Sequence, residues 1–258
     1  MADPRTSFNL STVCWCGHSF LKTDRVKEAF PDFDPLLVSR GGLTYRELID
    51  GDRSQGFRNS IEKCLRQRGG TVLVLVLGDN DFSTRTLRGI EKNEHYDEME
   101  ANPVRVVKTW RDKALDLAVS VGASHVILTP VFPRYFAKKP TDEDVKPPRR
   151  KRSNKAFYEE TRGLPWCVDS RNWHNHLARQ VNRQLRNIIG TKWRSYYRDG
   201  RSVNMAVLDS NPLGIMHPRH FTEWETKDSL VRCCVHPNAD TFANYYLEPV
   251  RNLLSSLE

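Results

Sequence analysis

The sequence predicts an α/β protein in which helices cover both faces of a parallel sheet, and three observations predict it. Residues 71–81, TVLVLVLGDND, form an unbroken apolar run that ends in Gly-x-Asn-Asp, as a strand buried on both faces does. Five stretches that read as strands alternate with stretches of helical period, and each connection is long enough for a right-handed crossover in a three-layer fold. The three longest polar stretches, residues 82–101, 137–171 and 209–235, follow the third, fourth and fifth strands, so they gather at one edge of the sheet. A single domain over residues 1–258 accounts for the length.

The elements follow in chain order. Residues 11–16 alternate small polar and apolar side chains before Gly17 and read as the first strand, and residues 20–30 read as a helix. Ser19 thus falls at a strand-to-helix junction. Residues 36–39 form a short second strand, Arg40-Gly41-Gly42 a turn, and residues 43–49 a brief helical piece. Phe57, Ile61, Cys64 and Leu65 share one helical face that ends at Gly69-Gly70. In the third strand, Val72, Val74 and Val76 face one side of the sheet and Leu73, Leu75 and Leu77 the other.

Asn102-Pro103 is a cap followed by a first-turn proline, and Val107, Trp110, Ala114, Leu117 and Val121 give the next helix its apolar stripe before Gly122 closes it. Residues 125–132, HVILTPVF, are a fourth strand. Leu177, Val181, Leu185 and Ile188 define a helix over residues 172–189 whose other face carries Arg179, Arg183 and Arg186. Residues 203–208 are the fifth strand, and a last helix spans about residues 238–254 with a bend expected at Pro249.

The formal net charge of +8 favours contact with anions without choosing among them. Lys146, Arg149, Arg150, Lys151 and Arg152 make a dense cationic run that reads either as a nucleic-acid or nuclear-import patch or as a solvated loop. No apolar run is long enough to span a bilayer, and the first ten residues lack the layout of a secretory signal. The expectation is therefore an intracellular chain, cytoplasmic or nuclear, with its six cysteines reduced. His174 and His176, two apart on a helix, point apart, and no cysteine spacing suits zinc. Neither a metal nor another cofactor is expected.

Four polar points lie at the loop-bearing edge: Ser19 after strand one, Gly42 after strand two, Asn80 after strand three, and His236 before the last helix. Acyl transfer by serine needs such groups: a hydroxyl to attack the carbonyl, an imidazole to take and return the proton, and N–H donors for the oxyanion. Ser19 is the candidate nucleophile and His236 the candidate base. The amides of Ser19 and Gly42, with the Asn80 side chain, are the candidate oxyanion donors.

Gly17-His18-Ser19-Phe20-Leu21, Gly42-Leu-Thr, Gly78-Asp-Asn80-Asp81 and His236-Pro-Asn238 resemble, in order, the four blocks of the SGNH (GDSL-like) hydrolases. The resemblance implies a flavodoxin-like sheet of order 2-1-3-4-5 and esterase, lipase or deacetylase chemistry on a small ester or acetyl group. Two departures stand out. His18 replaces the acidic residue of Gly-Asp-Ser, and the family's Asp-x-x-His reads Cys233-Cys-Val-His236. A thiol accepts hydrogen bonds weakly and carries little charge near neutrality, so it does not do the aspartate's work.

Three outcomes are open. A backbone carbonyl orients His236; a loop acid, Asp228 or Asp209, folds in; or the site is degenerate and the scaffold binds nucleic acid or another polyanion through its basic surface, since basic SGNH-like domains resembling this one occur in some retroelement-encoded proteins that handle RNA.

Overall fold

The computed structural model describes residues 12–17, 38–39, 45–48, 52–78, 101–131, 135–136, 168–210, 233–234 and 242–257. Six strands form the main sheet: β1 (Val13–Gly17), β2 (Val38–Ser39), β3 (Val72–Val76), β4 (His125–Leu128), β6 (Arg194–Arg198) and β7 (Arg201–Val207). Their spatial order is β2-β1-β3-β4-β7-β6. All neighbours are parallel except β6 and β7. With β6 set aside, the five parallel strands stand in the flavodoxin-like order 2-1-3-4-5. Two further short strands, β5 (Tyr135–Phe136) and β8 (Cys233–Cys234), pair antiparallel with each other.

Helices cover both faces, because every central strand is apolar on both sides. Cys14, Cys16, Leu73, Leu75, Val126, Leu128, Met205 and Val207 join one core with α1 (Asp52–Arg68), α2 (Pro103–Val121) and α3 (Val168–Ile188). Val13, Trp15, Val72, Val74, Val76 and Ile127 join the other with Phe242, Tyr246, Val250 and Leu254 at the end of the chain. The valine and leucine faces of β3 divide between the two cores as the two-residue period requires. Each fully buried large apolar side chain contributes roughly 1.5–3 kcal/mol.

Local signals set the helix boundaries. The Asn102 side chain accepts from the Arg105 N–H at 3.1 Å, Pro103 takes the first turn, and Gly122 ends α2. A one-turn 3₁₀ helix occupies Tyr45–Leu48. The final helix departs from expectation: Ala243–Leu247 is a π-helical turn that passes into α4 (Glu248–Ser255). Pro249 lies in the first turn of α4 and has no N–H to offer Tyr245, which disfavours a continuous α-helical ladder there.

Five other expectations are corrected. The sheet is not purely parallel, because β6 and β7 form a hairpin about Asp199-Gly200, with φ of 46° and 76°. Positive φ at both central residues is the requirement of a primed hairpin turn, and Asp-Gly is its usual sequence. The fourth strand stops at Leu128 rather than Phe132: Pro130 lacks a donor, and the Val131 main chain is taken by a side chain of α3. Helix α3 begins at Val168, earlier than expected, and the long polar stretch before His236 contains β8. Finally, Cys14 of β1 and Cys64 of α1 are disulfide-bonded with Cα atoms 6.1 Å apart, so the expectation of reduced thiols fails for this pair. Both face the same core, Cys14 through the strand's alternation and Cys64 through the helix's apolar stripe. Cys16 is buried and free, and burial pushes its thiol well above the ordinary value.

Candidate functional site

The parallel strands end in one row. Gly17 stands between Ser39 and Val76, Leu75 is in register with Leu128, and Leu128 with Val207. The ends of β2, β1, β3, β4 and β7 therefore line a single carboxyl edge, where open α/β sheets bind their ligands. Ser19, Gly42, Asn80, His236 and Asp228 lie outside the described residues, as do Lys146, Arg149, Arg150, Lys151 and Arg152. Asp209 is exposed, two residues beyond the end of β7.

Two glycines shape the rim. Gly17 is so close to β3 that a Cβ there would collide with the Val76 carbonyl oxygen. Gly78 turns the chain out of β3 at φ +98°, and a Cβ there would lie 2.9 Å from Val131 Cγ2 and 3.3 Å from the Trp110 ring. Trp110 is buried and stacks on Tyr45 with ring centroids 4.4 Å apart. An aromatic pair from α2 and the 3₁₀ turn thus supports the point where the Asn80 segment departs.

Helix α3 holds the roots of two other rim segments. The buried Asn182 amide accepts from Val131 N–H at 2.7 Å and donates to Val131 C=O at 2.9 Å, so one side chain satisfies both main-chain groups where strand pairing has stopped. One turn on, Arg186 Nη2 donates to the Ser210 carbonyl at 2.6 Å. These segments lead toward β5 and β8, which pair through Tyr135 with Cys234 and Phe136 with Cys233. The sequence reading missed this clamp. Its signal was an asparagine between Val181 and Leu185 on the apolar face of a helix, where an amide needs a buried partner. Asn182→Leu is expected to cost about 2–4 kcal/mol in chemical denaturation, since two buried main-chain groups lose their partner; a loss under about 1 kcal/mol would show that they find another.

Arg186 is consequently half-buried and engaged, whereas Arg179 and Arg183 are exposed. Among the described residues, no three His, Cys, Asp or Glu side chains assemble as a metal would require, and no helix is long and apolar enough to cross a membrane.

A second polar network lies at the opposite end of β4. Ser195 Oγ donates to Asn204 Oδ1 at 2.6 Å, Asn204 Nδ2 faces His125 Nε2 at 3.1 Å, and His125 Nδ1 faces Ser124 Oγ at 2.8 Å. An amide nitrogen only donates, so Nε2 accepts, and the neutral ring carries its proton on Nδ1 toward Ser124. Burial holds the His125 imidazole below its ordinary range. The folded ring binds its proton less tightly than the unfolded one. Its stabilising contribution is therefore complete above about pH 6.5 and is lost as pH falls toward the lowered folded value. His125→Gln should flatten the stability profile in that acidic window; an unchanged slope would assign it to another group.

No family model matches the chain, and a search of curated proteins finds no match. Among solved structures, the chain is similar to one described as a "putative acylhydrolase" from Bacteroides fragilis NCTC 9343, with 14% identity over 95% of this chain and 85% of that one and a TM-score of 0.33. Likeness at that level carries no inference about activity.

Proposed function

We propose that this chain is an SGNH-type serine acyl hydrolase that acts on a small ester or acetyl group, with Ser19 as nucleophile and His236 as base. The observation that supports it most is the register at the carboxyl edge, where Gly17 stands between Ser39 and Val76. Ser19 follows Gly17 by two residues, Gly42 follows Ser39 by three, and Asn80 follows Gly78 by two. At roughly 3.5 Å per residue each is within about 7–11 Å of a described anchor, and adjacent strands are only about 4.8 Å apart. That reach is short enough for the assigned nucleophile and the three assigned oxyanion donors to meet at one stretch of rim. His236 follows β8 by two residues, and β8 is tied to the segment leaving β4.

The chemistry assigned to these groups is attack by Ser19 Oγ on the acyl carbon and transfer of its proton to His236. The imidazolium then protonates the leaving alkoxide, and water repeats the sequence on the acyl-enzyme. The amides of Ser19 and Gly42 and the Asn80 side chain receive the oxyanion. Ser19→Ala and His236→Ala should each lower kcat for p-nitrophenyl acetate by about a hundredfold, and the double variant by no more than either alone, because the pair acts as a unit. Turnover equal to that of wild type in Ser19→Ala would end this reading.

A second reading draws support from Arg179 and Arg183, which are exposed on α3 in a chain of net charge +8. It holds that the scaffold binds RNA or DNA through these residues and the basic run at 146–152. That reading requires an affinity that falls with salt and weakens when those charges are neutralised.

A further inference from the structure

We propose that the open side of β6 is a docking edge for an extended acidic segment of another polypeptide, which adds to the sheet as a seventh strand with its carboxylates toward Lys192 and Arg194.

The hydrogen-bond pattern identifies the groups on that side. Asn204 N–H donates to Ser124 C=O and Leu208 N–H to Leu128 C=O, so the even residues of β7 turn their main chain toward β4. Val207 N–H donates instead to Gly190 C=O, on the other side. In an antiparallel pair the main-chain groups alternate in direction. Arg194, Tyr196 and Arg198, opposite Met205, Val203 and Arg201, therefore form the ladder with β7. Ser195 and Tyr197 direct their N–H and C=O groups away from it. Since β6 ends the sheet order, those groups lie along an outer edge, a ready template for another strand.

The side chains around this edge indicate what would fit it. Tyr197 is 78% exposed, a large apolar ring beside main-chain groups that no described strand pairs with. Tyr196, on the opposite face, is half-buried and its hydroxyl donates to Ile188 C=O at 3.2 Å. Charge is distributed unevenly along the strand. At its far end Arg198 is bound to Asp116 at 2.6 Å, with Asp112 and Asp199 also acting on it. At its start Lys192 and Arg194 are exposed and have no acidic partner among the described residues. An incoming strand with carboxylates at the Lys192–Arg194 end supplies what that end lacks.

A second copy of the chain fits less well. Two β6 strands side by side in antiparallel register would set Arg194 of each against Arg198 of the other, and like charges in opposed positions are unfavourable. Nucleic acid would engage the cations but has no alternating row of amides and carbonyls to meet Ser195 and Tyr197.

The test uses the full chain and a synthetic seven-residue probe, two glutamates followed by alternating valine and threonine, capped at both ends. Saturating probe at low salt should slow amide hydrogen exchange at Ser195 and Tyr197, while the same peptide with lysines for glutamates should not. Lys192→Glu with Arg194→Glu should weaken binding by about tenfold or more. Tyr197→Pro removes an outward N–H that the ladder does not use, so the fold should persist in thermal unfolding while binding is lost. Unchanged exchange at both amides, or probe binding indifferent to Tyr197→Pro, overturns the proposal. Protection by a single-stranded RNA in place of the probe, or dimerisation abolished by Tyr197→Pro, overturns it in favour of those occupants.

Discussion

Cys233→Asp is expected to raise kcat for p-nitrophenyl acetate by roughly two to four orders of magnitude with little change in KM. Cys233 is the first residue of β8, pairs with Phe136, and precedes His236 by three positions, the spacing at which the family resemblance calls for an aspartate. A carboxylate there would hold the imidazole in one tautomer and stabilise the imidazolium formed as Ser19 loses its proton. In serine proteases the loss of that charge lowers kcat by about 10⁴, so restoring it is expected to recover a large part. The effect should fall on kcat, because the imidazolium exists only after attack has begun. Cys233→Ser, which adds no charge, should leave kcat near the wild-type value. An unchanged kcat in Cys233→Asp would mean that the ring is already oriented by another group, and a loss of activity in Asp209→Asn or Asp228→Asn would distinguish a loop acid from a backbone carbonyl.

Gly17→Ala is expected to destabilise the fold by about 3 kcal/mol or more in urea denaturation, or to prevent folding. The added methyl would meet the Val76 carbonyl oxygen, a main-chain atom in the middle of the sheet that cannot rotate aside as a flexible side chain would. Relief requires β1 and β3 to separate at their carboxyl ends, where the Ser19 and Asn80 segments leave. Any folded remainder should therefore lose esterase activity as well as stability. A loss under about 1 kcal/mol would show that the two strands are less tightly apposed than described.

The main sheet was legible because its strands are apolar on both faces and its helices carry periodic stripes. Residues 72–77 alone specify two covered faces, and the Asn102-Pro103 and Gly122 boundaries follow from local hydrogen bonding. The β6–β7 hairpin was missed: Asp199-Gly200 is its turn signal, but residues 194–198, RSYYR, are charged and half-exposed and lack the apolar pattern by which strands are usually recognised. Asn182 and Arg186 were not legible as a clamp, since what they hold, the main chain at Val131 and Ser210, depends on tertiary placement rather than spacing. Nor was the Cys14–Cys64 bridge, because a pairing across fifty positions depends on which faces of β1 and α1 meet. The candidate site was proposed from Ser19, Gly42 and Asn80 after successive strands and His236 before the last helix. The conformations of its polar segments follow from no local rule, because residues 82–101 and 209–235 have neither a period nor a continuous apolar face.

The central claim is that Ser19 and His236 act together at the carboxyl edge, and covalent labelling tests it most directly. A fluorophosphonate should modify the folded protein at Ser19, and the rate should fall sharply in His236→Ala and vanish in urea. Label absent from Ser19 in the folded chain, or a Ser19 labelling rate unaffected by His236→Ala, would contradict it.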